Sequence, residues 1–308
     1  MNDLLEYFNS LEHRPLDRLL FLATPIFVLW LIESGVPLVK LQYKKNKAKH
    51  ALVNFSFTLF HLIIHALLAV FVVLACDWCT KNHFGVVNWL SLPVWAIVVA
   101  GILSMDFFGG WLVHIVQHKV PLFWRMHLLH HTDTNVDVTS GLRHHPLEAL
   151  FRWIFFMIGV MIMGLPIYAV MIAQTIMSMF TMFTHANIRL PKKLDTILSY
   201  VLVSPNMHKV HHHWKQPFTD SNYGTALSIW DRLLGTFKQL DPEKLHYGLD
   251  RYYSNDDDEN FGKLIRSPFG KFGTVMMSEE ERLVSPKENL TVNKPQPLNS
   301  ATGKPANS

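Results

Sequence analysis

Twelve of the chain's 18 histidines fall between His114 and His213, in runs spaced His-x-x-x-His, His-x-x-His-His and His-x-x-His-His. On a helix, residues three and four apart share one face. His114 with His118, the trio His127, His130 and His131, and the trio His208, His211 and His212 would therefore each present stacked imidazoles. Neutral imidazole binds zinc, copper, iron and nickel. One zinc ion takes about four protein ligands, and eight are offered here at ligand spacing, so the surplus points to two metals. The runs hold no cysteine and no evident carboxylate, which argues against iron–sulfur and thiolate sites and favours a di-iron centre held by histidine. Spacing alone does not name the metal. A single histidine would more simply be a surface or core residue, but three runs together are poorly explained that way.

These ligands need a scaffold, and composition indicates which kind. Charged residues make up 17% of the 308, against about 25% in a soluble domain, and mean hydropathy is positive. The chain reads as an all-α, multi-span membrane helix bundle of about four crossings. Apolar stretches at 19–38, 51–75 and 92–113 are long enough for a bilayer core of about 30 Å. A longer one, 150–183, is interrupted by Gly164-Leu165-Pro166 and reads as a helical hairpin. Such a return is also what the chemistry needs, because histidines at 114–145 and at 185–212 meet only on one side of the membrane.

Lys40, Lys44, Lys45, Lys47 and Lys49 follow the first span, and Lys119, Arg125, Arg143, Arg189, Lys192 and Lys193 flank the histidine runs. By the positive-inside rule, the histidine clusters, a helical cap and the C-terminus are expected to be cytoplasmic. Asp3, Glu6, Glu12 and the loop at 77–88 would lie outside. The N-terminus carries no recognisable cleavable signal. The net charge of +4 fits topology and headgroup contact and gives no reason to invoke nucleic acid. Cys76 and Cys79 form a lone Cys-x-x-Cys, read as two interfacial thiols with an external disulfide as the alternative. The expected division is N-terminal transmembrane helices over 1–113, a catalytic region over 114–240 that includes the hairpin at 150–185, a cap extension over 241–275 and a disordered tail over 276–308.

His185 stands at the end of the hairpin, where it can point at the same site as the trio His208, His211 and His212. His145, Glu148 and Asn187 are candidates either as ligands or as supports for ligands. Glu148 could hold Arg143, accept the second N–H of a ligand imidazole, or make a surface salt bridge. His213 lies about 100° round its helix from His212 and is set aside. Phe123 and Trp124 read as packing. His61 and His65, four apart inside the second span, are candidates to line a substrate channel. The runs at 222–224 and 230–236 read as braces for the cap, with a glycine-dependent turn at Gly224.

The strings DFFGGWLVHIVQH, MHLLHH, RHHPLE, FTHANIRLP, SPNMHKVHHHW and NYGTALSIWDRLLGT together resemble the fatty acid hydroxylase superfamily, often called the sterol desaturase family, over about residues 100–240. The resemblance implies a four-helix membrane bundle under a cytosolic cap and two irons bound by histidine, with zinc as a substitute in purified preparations. Position by position, its ligands fall on His114, His118, His127, His130, His131, His185, His208, His211 and His212, and its His-Pro histidine is His145. The chain departs from the pattern at the first run, where Gly110 and Trp111 precede His114 and Ile115 replaces an arginine, and at His144, where an aromatic residue is usual.

The implied function is O2-dependent hydroxylation or desaturation of a membrane lipid: a fatty acyl chain, a sterol or a related compound. No flavin, haem or dinucleotide signature is present in the sequence, so an external electron donor is expected, of cytochrome b5, ferredoxin or other type. An ether-lipid (alkylglycerol-type) monooxygenase, fed by a reduced pterin, is the near alternative. A histidine-rich metal transporter is the rival from another class. It fits less well, because transport sites lie near the bilayer midplane and these runs stand at span ends.

Overall fold

The computed structural model describes residues 6–8, 10–43, 46–249 and 259–270. The tail expected over 276–308 lies outside the described residues. Among them the chain is helical, with isolated β-bridges at Pro37–Ile188, Leu202–Leu227 and His213–Tyr247 and no β-strand.

Helix α1 (Pro15–Gly35) is followed by α2 (Lys47–Lys81), whose first turn is capped by Asn46 accepting from Lys49 N. At 35 residues α2 is about 50 Å long, well beyond a bilayer core of about 30 Å. Its first three turns bury His50, Ala51, Val53, Asn54 and Phe57, so the helix is rooted in the cap before it enters the lipid-facing bundle. Helix α3 (Val94–Ser104) runs into a π-helical stretch, Met105–Leu112, and on into α4 (Val113–Lys119). The expected continuation of the third span into a ligand-bearing helix is present, with the π-helical turns as the feature that spacing did not foretell. Gly110 lies there because an added Cβ would stand 2.9 Å from Thr225 Oγ1.

Pro121 starts α5 (Pro121–His131), and Pro146 starts α6 (Pro146–Met163). Helix α6 ends where expected, on Gly164 at φ +68, and Pro166 caps α7 (Ile167–His185). A side chain at Gly164 would meet Phe84 O at 2.1 Å, so backbone angle and space both demand glycine. Short helices α8 (Lys192–Leu198), α9 (Pro205–His211), α10 (Ile229–Leu233) and α11 (Phe261–Arg266) complete the cap.

Four helical stretches are long and apolar enough to cross a membrane: Lys47–Trp89, Val94–Lys119, Pro146–Met163 and Ile167–His185. The hairpin therefore supplies two full-length helices. The stretch expected at 19–38 lies in α1 and its apolar part ends at Gly35, at the short end of the range for a crossing. The end of α1 belongs to the cap, where buried Glu33 accepts from Val138 N and Asn187 N at 3.0 Å each and pairs with Lys47 at 2.7 Å. The thiols do not form the alternative disulfide. Cys76 and Cys79 are free and buried inside the bundle, with Cys79 Sγ 3.7 Å from Met161 Sδ.

Candidate metal centre

The nine histidines carried over from the family pattern converge into two groups. One holds His114, His118, His127, His131 and His211; the other holds His130, His185, His208 and His212, with ligand atoms inside each group no more than 4.8 Å apart. Helices α4, α5, α7 and α9 each deliver part of the set. The i, i+4 pair on α4 serves one group, whereas α5 and α9 split their trios between both.

Hydrogen bonds on the far side of the rings explain how these imidazoles are aimed. Nδ1 of His114 donates to Tyr223 O at 2.8 Å, that of His118 to Asp220 Oδ1 at 3.2 Å, and that of His211 to Ser221 O at 2.7 Å. His127 donates to Glu148 Oε1 at 2.9 Å, His130 to Arg143 O at 3.3 Å and His185 to Thr181 O at 2.7 Å. Each of these neutral rings then has a bare lone pair on Nε2.

Those lone pairs face one another. His114 Nε2 is 3.1 Å from His127 Nε2, and His130 Nε2 is 3.0 Å from His185 Nε2. Two lone pairs at that distance repel unless a cation lies between them, and metal–nitrogen bonds of about 2.1 Å at right angles set two nitrogens about 3 Å apart. Nε2 of His118 and of His211 are buried with no partner. The residues fit a metal at each group. Burial holds His127, His130, His131, His208, His211 and His212 well below the ordinary imidazole value, so they are neutral and ready to ligate.

Residues 98–236 match the family model described as fatty acid hydroxylase. The chain is 31% identical over 170 residues to an alkylglycerol monooxygenase of Xenopus tropicalis, covering 54% of this chain and 36% of that protein. It is 31% identical over 157 residues to an ornithine lipid hydroxylase of Rhizobium tropici, covering 51% and 45%. A methylsterol monooxygenase of Danio rerio is 25% identical over 164 residues, covering 52% and 54%. The aligned stretch thus spans between about a third and about half of each relative's length. No solved structure matches the chain.

Around these two histidine groups the other candidates separate. Glu148 takes the His127 N–H and lies 3.7 Å from Arg152. Arg143 is fully buried and bonds Leu129 O at 3.1 Å, Thr132 Oγ1 at 2.8 Å and Asn54 Oδ1 at 3.3 Å. His145 points away from both groups. Its Nδ1 accepts from Leu147 N at 3.2 Å, capping α6, and its Nε2 donates to Ile265 O at 3.1 Å, fastening α11. Asn187 bonds Val39 N and O, bracing the chain after α1. His213 is buried, and its Nδ1 accepts from His246 N at 3.2 Å. His144 does reach the site: its ring stacks on His130 at 4.4 Å and 16°. His61 lies 5.9 Å from His144 and 6.0 Å from His65, ring centre to ring centre.

Two contributions escape any reading of ligand spacing. The segment 220–223 gives three acceptors to one group, two of them backbone carbonyls that no side chain announces. Asp231 holds this segment by accepting from Tyr223 N at 2.8 Å, Gly224 N at 2.9 Å and Trp111 Nε1 at 3.1 Å. Gly224 is needed for closeness, since a Cβ would meet Leu227 O at 2.7 Å; the positive φ angles are at Asn222 and Gly235. Lys209, wholly buried between ligands, donates to Val136 O at 2.5 Å and to His185 O, and burial brings its ammonium down to about 7.

Proposed function

We propose that this chain is a membrane-embedded, O2-dependent lipid hydroxylase or desaturase whose two histidine groups hold two irons. The observation that carries the reading is the pairing of bare Nε2 lone pairs about 3 Å apart in both groups, with one partner of each pair, His114 and His185, at the end of a helix long and apolar enough to cross a membrane. When bound and reduced, the iron pair supplies the means to activate dioxygen against an unactivated C–H bond. The chain's own residues hold the imidazoles neutral and oriented, keep water from the centre by burial, and bring a lipid carbon up to it.

The lipid's path is assigned to the row His65, His61, His144. His65 is exposed on α2, His61 and His144 are half-buried, and His144 stacks on His130 of the four-histidine group. These imidazoles offer hydrogen bonds to a polar group on a lipid entering between α2 and α6, next to the centre rather than at the bilayer midplane. The positive-inside distribution supports a cytoplasmic cap, with electrons from an external carrier of cytochrome b5, ferredoxin or pterin type. The alkylglycerol monooxygenase relatives favour an ether lipid as the second reading of the substrate.

Iron analysis after anaerobic purification tests the reading: about two irons per chain, with oxygen uptake on adding reductant and lipid, support it. One tight zinc and no oxygen uptake in reconstituted preparations would sink it. Lipid profiling with and without the gene, scored for a gain of one oxygen or a loss of two hydrogens, identifies the substrate.

A further inference from the structure

The nine imidazoles are walled in: eight are at most 5% exposed, and the His118 side chain is 1% exposed. Electrons from outside must therefore cross protein to reach a bound metal. Among the described residues, three other rings touch the ligand set. Tyr223 is wholly buried against His114, His118 and His211. His144 lies on the four-histidine side and continues into the bundle through His61. Trp124 is different: it is half-buried, so part of its indole is at the cap surface. Its ring stands 4.8 Å from His118, 5.4 Å from His131 and 6.3 Å from His127, centre to centre, all members of the five-histidine group. Exposed Lys119, which pairs with Asp220 at 2.6 Å, and exposed Arg125, which bonds Pro268 O at 3.2 Å, flank it in the chain and leave a net positive edge.

We propose that Trp124 is the entry point for electrons, passing them from a docked one-electron carrier protein with an acidic face to the five-histidine group. This rests on the di-iron reading above. Electron transfer through protein falls exponentially with the gap between conjugated groups, and the indole shortens that gap from surface to ligand ring. Lipid and electrons then arrive at different groups, by His144 and by Trp124. Each electron converts one ferric ion to ferrous. Two of them, with two protons and one O2, leave one oxygen atom in the lipid C–H bond and one in water. Trp124 acts through the ligand rings and does not touch the substrate.

The test is anaerobic stopped-flow reduction of the ferric, full-length protein in lipid nanodiscs by saturating reduced plant-type ferredoxin, followed by ferrous iron trapped with a chromogenic chelator. Trp124→Leu is expected to slow reduction by about ten-fold or more with iron content unchanged. Trp124→Met, longer, more adaptable in packing and also without a ring, is expected to do the same and decides the matter if the leucine variant fails to load iron. Wild-type reduction rates in either iron-loaded variant would overturn the proposal while leaving the di-iron reading intact. An iron-free wild-type protein would overturn both.

Discussion

Glu148 Oε1 accepts the Nδ1–H of His127 at 2.9 Å, and neither side chain is more than 1% exposed. The carboxylate thereby fixes which nitrogen of His127 is bare, and it raises that nitrogen's basicity toward a metal. Glu148→Gln keeps the shape and weakens the acceptor that orients His127, so iron affinity is expected to fall about 10- to 100-fold. Competition with a chelator measures this. An unchanged affinity would remove Glu148 from the centre.

The division into two groups makes a stoichiometric prediction. His118→Ala removes a ligand of the five-histidine group alone, and His208→Ala one of the four-histidine group alone. Each variant is expected to retain about one of the two irons, with lipid oxidation abolished in both. His213→Ala, whose ring is engaged with the His246 backbone, should keep both metals. If His213 proves as sensitive as His211, the ligand face of α9 has been assigned wrongly.

Ligand spacing made the centre legible because helical geometry converts i, i+3 and i, i+4 into a shared face, and the hairpin was legible because Gly164 and Pro166 are unambiguous punctuation. What the sequence hid has one physical cause. Tyr223 O, Ser221 O, Thr181 O and Arg143 O aim four imidazoles, and a carbonyl looks the same at every residue. The end of α1 was hidden for a related reason. Hydropathy registers Leu19 onward as a span, but the end of that helix is set by Glu33, whose partners are 14 to more than 150 residues away in the chain. His145 and His144 show the limit of motif transfer, since the motif histidine caps a helix and its neighbour stacks on a ligand.

Asp231 is the tie on which one metal group depends. Its carboxylate takes two backbone N–H groups, the Trp111 indole and the Thr236 hydroxyl, the last at 2.6 Å. Asp231→Ala leaves these buried donors unpaired and is expected to cost about 3 kcal/mol or more. The segment 220–223 would loosen with it, so metal loss should strike the five-histidine group first. Thermal unfolding in detergent and metal content together check this. A variant that melts normally with two irons would refute the dependence.

Acid should unfold the metal-free protein in a characteristic way. Six cap histidines, His127, His130, His131, His208, His211 and His212, are held well below 6.5 by burial and then by one another's charge. Once unfolded, each titrates near 6.5, so below that pH the unfolded chain binds protons that the folded chain refuses. Stability contributed by their neutrality is therefore complete above about 6.5 and falls as the pH drops, by about 1.4 kcal/mol per pH unit for each group. Lys209 adds a gentler slope at higher pH. Its folded value is about 7 against 10.5 unfolded, so it costs stability as the pH falls from 10.5 to about 7 and nothing further below. A melting series from pH 9 to pH 5 should thus show a steep decline setting in below about 6.5. Compared with the wild type, Lys209→Met should remove the Lys209 contribution above about pH 7 and leave the steep limb unchanged. Bound metal should flatten the steep limb until protons displace it, and a metal-free profile already flat below 6.5 would mean these imidazoles are not buried and neutral.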